Sequence, residues 1–127
     1  MPVQFNHTIW HVKDSRASAQ WLAELFELPP PKPFGPFMTV MTHNDVSLDF
    51  IDAGDYPFQS QHYAFLVGDD DFDRIFARIR ERDMTYWADP RREQAGSINH
   101  HFGGRGVYFE DLDGHLLEII TRPYASL

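Results

Sequence analysis

The chain contains no cysteine, which excludes disulfides, thiolate metal ligands and a cysteine nucleophile together. It has no apolar run near the roughly 18 to 20 residues that a membrane helix needs. Residues Met1 to His11 lack an apolar stretch after a basic start, so no secretion signal is read there and a cytoplasmic location is expected. Positive charge is scarce as well: 11 Lys and Arg face 19 Asp and Glu, for a net charge of -8. That balance argues against a nucleic-acid partner, whose phosphates need clustered cations. The local run Arg74, Arg78, Arg80, Arg82, Arg91 and Arg92 is interspersed with acids and reads as a solvated helix face. What is present is ordinary in size, 127 residues with 43% hydrophobic, enough for one domain with a real core and too little for two. The aromatic share, 15% with 11 Phe, points to a core or pocket lined with flat side chains.

Self-similarity is the next signal, because a repeat fixes the architecture. His7-Thr8-Ile9-Trp10-His11-Val12-Lys13-Asp14 aligns with His62-Tyr63-Ala64-Phe65-Leu66-Val67-Gly68-Asp69. A helical pattern follows each copy. The first spans about Ser15 to Phe26, with Ser18, Trp21, Leu22 and Leu25 on one face and Asp14 as N-cap. The second spans about Asp70 to Arg82, with Phe72, Ile75, Phe76 and Ile79 at helical spacing and Asp69 or Asp70 as cap. A hairpin then follows in each: Phe37–Thr42 with Val46–Asp52, and Gly106–Glu110 with His115–Thr121. Laying the first hairpin on the second puts Asp49 on Glu118. The second copy carries about 14 extra residues in Ala88 to Arg105, a polar stretch read as a long loop, which in a compact domain is usually functional or disordered. Leu28 to Pro36, rich in proline, reads as an extended connector. The order is strand, helix, strands, written twice, and predicts an α+β sheet protein with a helix covering one sheet face per repeat.

Strand side chains alternate, so parity assigns faces. Thr8, Trp10, Val12, Tyr63, Phe65, Val67, Leu48, Phe50, Val107, Phe109, Leu117 and Ile119 form a large apolar face suited to helix packing. Trp10, Trp21, Phe65 and Phe76 are expected in the core. The opposite face carries His7, His11, His62, Asp49, Tyr108, Glu110 and Glu118. Burying isolated carboxylates costs several kcal/mol per group unless they are paired or metal-bound. Such a face is either water-filled or a metal site, and one His at the start plus one acid near the end of each repeat favours the metal. Each histidine alone would be read as a satisfied core residue. Two imidazoles and a carboxylate suit Fe(II), Mn(II), Ni(II), Co(II) or Zn(II), with positions left open for substrate. His100 and His101 read as solvent-facing loop residues, and His43 and His115 as turn residues without a role.

These features resemble the vicinal oxygen chelate superfamily, which includes glyoxalase I, extradiol dioxygenases, fosfomycin thiol transferases and bleomycin-binding proteins. The resemblance lies in the doubled module, the histidine heading each copy, and the string Gly106-Val107-Tyr108-Phe109-Glu110-Asp111-Leu112-Asp113-Gly114-His115-Leu116-Leu117-Glu118-Ile119. It implies two βαβββ modules, about residues 1–57 and 58–127 of one domain, forming a cupped mixed sheet with helices outside. His7, His62 and Glu118 match the metal-ligand positions. Asp49 sits where glyoxalase I has a fourth carboxylate ligand; being one methylene shorter, it reads as ligand, base or second-shell partner. Tyr108 matches a substrate-contacting tyrosine of extradiol dioxygenases. An acid-base histidine is also expected there; His11, His100 and His101 are candidates that no motif selects, and His11 shares the site face.

The expected function is a metal-dependent enzyme acting on a small substrate chelated through vicinal oxygens, either a glyoxalase-like isomerase or lyase, or a dioxygenase. The alternatives are a non-catalytic small-molecule or antibiotic-binding protein and a fosfomycin-type thiol transferase. Against the transferase, Ile9 stands where that group carries Thr, and the long loop is foreign to it. The resemblance further implies a homodimer, with His7 of one chain joining His62 and Glu118 of the other.

Overall fold

The computed structural model describes residues 2–124. The chain divides into two compact units, with the boundary between Gln59 and Ser60. In the first, β1 (His7–Val12) leads into α1 (Ser15–Phe26), followed by β2 (Lys32–Phe34), β3 (Phe37–Met41) and β4 (Ser47–Asp52). In the second, β5 (His62–Leu66) leads into α2 (Asp69–Glu81), then β6 (Tyr86–Trp87), β7 (Gly106–Glu110) and β8 (Leu116–Ile120). Each unit is a four-stranded mixed sheet, ordered β1-β4-β3-β2 and β5-β8-β7-β6. The order is the same in both, and the α+β reading with the βαβββ module is what forms.

In both sheets the leading strand lies parallel to the last. Ile9 is paired with Asp49, and Ala64 with Glu118. Each acid therefore lies diagonally across from the histidine two residues before its partner, on the same face of the sheet.

The apolar face forms the core where a helix lies over it. Trp10, Val12, Phe50, Val107, Phe109, Leu117 and Ile119 are all buried. The helix α1 packs on β1, β3 and β4 through Ala19, Leu22, Ala23 and Leu25. Trp10 and Phe50 stack at 4.8 Å between ring centres. Phe72, Ile75 and Ile79 are the buried stripe of α2, and Phe76 meets Tyr86 edge-on at 5.0 Å. Of the four aromatics expected in the core, Trp10 is there. Trp21, Phe65 and Phe76 are only half-buried, because each sits at the margin of its helix stripe or on an outer strand.

Helix ends account for another difference. The Asp14 carboxylate accepts from the Ala17 amide at 3.1 Å and caps α1. α2 starts differently: Gly68 is its cap and bonds through no side chain, while Asp69, Asp70 and Asp71 fall inside the first turn. There they still face the positive end of the helix dipole. Two short strands were not foreseen. β2 lies inside the proline-rich connector and β6 just before the long loop. Pro33 is tolerated in β2 because that strand is an edge, where a missing amide costs no ladder bond.

The stretch from Ala88 to Arg105 is more ordered than a plain loop. Trp87 bridges to Ala95 and Asn99 to Gly106, and His101–Gly103 forms a 3-10 turn. Asp89 accepts the amides of Glu93 and Gln94. The Asn99 side chain donates to the Ala88 carbonyl at 2.8 Å. A Cβ at position 106 would stand 2.8 Å from Asn99 Oδ1, so glycine there lets the Asn99 side chain keep its place. Arg105 closes the stretch against α2: its guanidinium meets the Asp73 carboxylate at 2.7 Å and lies 4.4 Å from the centre of the Phe72 ring.

Candidate metal and substrate site

On the polar face of the second unit, β8 presents Glu118, which is 1% exposed. A carboxylate removed from water to that degree needs partners, and it has them. His62 Nε2 stands 3.0 Å from Oε1. The Tyr124 hydroxyl donates to both oxygens, at 3.0 and 2.9 Å. His62 itself is substantially exposed, with 44% of its side chain open. The pair thus joins a sequestered acid to an accessible imidazole.

Tyr108, next to Glu118 on the adjoining strand, is buried, and its ring centre is 5.8 Å from that of His62. Burial, then hydrogen bonding with Tyr124 and the nearby Glu118 charge, push its phenol well above the ordinary range. Tyr108 is a neutral hydroxyl at any working pH. Burial and the Glu118 bond raise the Tyr124 phenol as well, against the opposing effect of Tyr108. Trp87 pairs with Tyr108 across β6 and β7 and shares its face. Arg92 lies 5.7 Å from the centre of the Trp87 ring and bonds Glu110 at 2.7 Å.

The first unit repeats the frame with different contacts. Asp49 is buried, and the Ser47 hydroxyl donates to it at 2.6 Å. His7 is exposed, and its Nδ1 bonds the Asn6 side-chain oxygen at 2.8 Å. A hydrogen bond at one ring nitrogen is how a metal-binding imidazole is oriented for coordination through the other. His11 is half-buried, with its ring 5.3 Å from that of Tyr56.

The donor chemistry of the second unit fits a divalent cation. An imidazole nitrogen and a carboxylate oxygen are both donors that such ions accept, and His62 Nε2 and Glu118 Oε1 are brought together at 3.0 Å, in hydrogen-bond contact. Among the described residues, no cluster of three or more His, Asp or Glu side chains is gathered to hold an ion. His62 and Glu118 alone are two candidate donors, fewer than a divalent cation takes.

Two residues escaped sequence reasoning. Tyr124 follows β8 without periodicity or motif to mark it. His115, read as a turn residue, is 1% exposed, accepts the Gln61 amide on Nδ1 at 3.0 Å and packs edge-on against Tyr63. The Asp111 carboxylate, which accepts the amides of Asp113 and His115, turns the chain so that His115 points inward.

The solved structure of oxidase ChaP-H1 is 58% identical, covering 98% of this chain and 100% of its own, with a TM-score of 0.94. Oxidase ChaP-H2 is 55% identical, covering 99% and 98%, also at 0.94. The fosfomycin resistance protein FosX of Listeria monocytogenes is 19% identical over 97% and 96% of the two chains, at 0.72, a likeness of fold alone. By sequence, the glutathione transferase FosA of Serratia marcescens is 33% identical over 85 residues, 64% of this chain and 53% of that protein. The chain spans about half the length of that curated relative. A family model described as the Glyoxalase/Bleomycin resistance protein/Dioxygenase superfamily matches residues 4–119, and the chain belongs to that superfamily.

Proposed function

We propose that the protein is a metal-dependent enzyme that oxidises a small substrate bound through two neighbouring oxygens. The observation that carries this is the His62–Glu118 pair, an accessible imidazole set against a sequestered carboxylate at 3.0 Å. His7 completes the set, from the same chain or from a second copy in a homodimer; its Asn6 bond leaves Nε2 available for that. The ion would be Fe, Mn, Ni, Co or Zn, with Fe(II) suited to oxidation.

When bound, the cation supplies Lewis-acid stabilisation of negative charge on the substrate oxygens, worth several kcal/mol. The chain's own groups do the rest. Tyr108, whose ring lies beside His62, contacts the bound substrate. Asp49 or His11 accepts the proton that the substrate hydroxyl loses on binding. Ser47 holds the Asp49 carboxylate in a fixed orientation for that purpose.

The oxidative branch is preferred over the isomerase or lyase branch because two neighbours above 50% identity are named oxidases. A thiol transferase reading draws on the glutathione transferase relative, but Ile9 replaces the expected threonine. A binding protein without turnover is the reading from another class. Metal analysis of the purified protein, then dioxygen uptake with catechols and an isomerisation assay with a hemithioacetal, separates these. Metal-dependent dioxygen uptake that Glu118→Ala abolishes is the expected result. Hemithioacetal turnover without dioxygen would move the protein to the isomerase branch, and failure to bind any divalent ion would leave the binding-protein reading.

A further inference from the structure

We infer that Tyr124 is a positioning residue that holds the Glu118 carboxylate in place and so sets how tightly that carboxylate grips its ion. The inference rests on the reading of Glu118 as a ligand. Its structural basis is the contact of one hydroxyl with both carboxylate oxygens, at 3.0 and 2.9 Å. A glutamate side chain can swing its carboxylate among staggered rotamers of its sp3 torsions. A donor in contact with both oxygens holds the carboxylate against that swing, at the place where Oε1 stands 3.0 Å from His62 Nε2.

Tyr124 is placed from outside the sheet. β8 ends at Ile120, and the chain is then pinned by two bonds with Arg105. The Thr121 amide donates to the Arg105 carbonyl at 3.0 Å, and the Arg105 amide donates to the Thr121 hydroxyl at 2.9 Å. Pro123, whose ring restricts the backbone, comes just before Tyr124, whose hydroxyl reaches back to Glu118. The ring of Tyr124 stays 54% exposed, while its hydroxyl bonds the most sequestered acid of the face. Phe102, in the 3-10 turn of the long loop, packs on that ring at 5.4 Å. The grip of Glu118 is thereby tied to the loop through a single aromatic contact.

Outer-shell donors to metal ligands typically contribute about 10- to 100-fold in affinity. The test is Co(II) titration of wild type and Tyr124→Phe, read by visible absorption, with thermal melting of both proteins in the metal-free and metal-loaded states. Phenylalanine keeps the ring contact with Phe102 and removes only the hydroxyl, and the metal-free melting curve checks that the variant is folded. The expected result is a Co(II) affinity about 10- to 100-fold weaker, an altered absorption spectrum, and a smaller metal-induced rise in melting temperature. Equal affinity and spectrum in the two proteins, with melting lowered equally in both states, would overturn the inference and leave Glu118 as a ligand. Absence of Co(II) binding by wild type would overturn the ligand reading itself, and the inference with it.

Discussion

Asp49 and Glu118 occupy the same position in two copies of one module, yet they bond to different partners. Glu118 reaches His62 on the neighbouring strand, whereas Asp49 takes the hydroxyl of Ser47 on its own strand. The shorter aspartate is held close to its own backbone, and the longer glutamate crosses to the next strand.

From this difference, Glu118→Ala is expected to weaken metal affinity by more than the ~10- to 100-fold typical of outer-shell losses. Asp49→Ala is expected to keep metal occupancy and lose turnover. Metal content of the two purified variants, set beside dioxygen uptake, checks both. Loss of the ion from Asp49→Ala would make that residue a ligand.

The Asp111 carboxyl is held above its ordinary range, by burial first, with the electrostatic interaction with His115 and the backbone bonds to Asp113 and His115 opposing it. One of its oxygens, Oδ2, is buried without a hydrogen-bond partner. A raised carboxyl contributes stability below the unfolded value near 4 and loses it as pH rises through the folded value. Asp111→Asn keeps an oxygen for the two amides and cannot ionise. Its stability relative to wild type is therefore expected to grow between pH 3 and pH 7, by about 1 kcal/mol, the scale of one poorly partnered polar group. Urea denaturation across that range measures it; a constant difference would refute the assignment.

The two helix starts predict unequal sensitivity. Asp14→Ala removes a side-chain cap and is expected to cost about 1 kcal/mol. Asp70→Ala removes only a charge from the first turn of α2 and is expected to cost about 0.3 to 1 kcal/mol, less at high salt. Denaturant titrations at low and high ionic strength distinguish the two.

Arg105 predicts a failed conservative exchange. Its planar head bonds Asp73 and the Asp69 carbonyl and lies against Phe72. A lysine keeps the charge but not the fork or the stacking. Both Arg105→Lys and Arg105→Ala are expected to speed amide exchange in residues 99–105, with the lysine restoring little.

Much of this fold is legible in the sequence because the module repeats. Matching histidines 55 positions apart and matching acids set the strands, and parity alone places Glu118 and Tyr108 on the face of His62. Short edge strands escape the same reasoning: Tyr86–Trp87 is too brief to show alternation, and Pro33 argues against a strand unless its edge position is known. Gly68 as a cap leaves no side-chain signature. His115 escapes because its burial depends on how Asp111 turns the chain, and Tyr124 because its contact runs back along the tail to a residue six positions earlier.

The clasp formed by Asn99, which reaches Ala88 with its side chain and Gly106 with its backbone, has an evolutionary consequence. It fixes the inserted segment at its neck, and Arg92 and Ala95 within the segment tie it back to Glu110 and Trp87. The register of β7 and β8 is set by their own ladder, so residues 89–98 other than Arg92 and Ala95 are free to vary without disturbing it. Selection can therefore rewrite that stretch while His62 and Glu118 stay as they are.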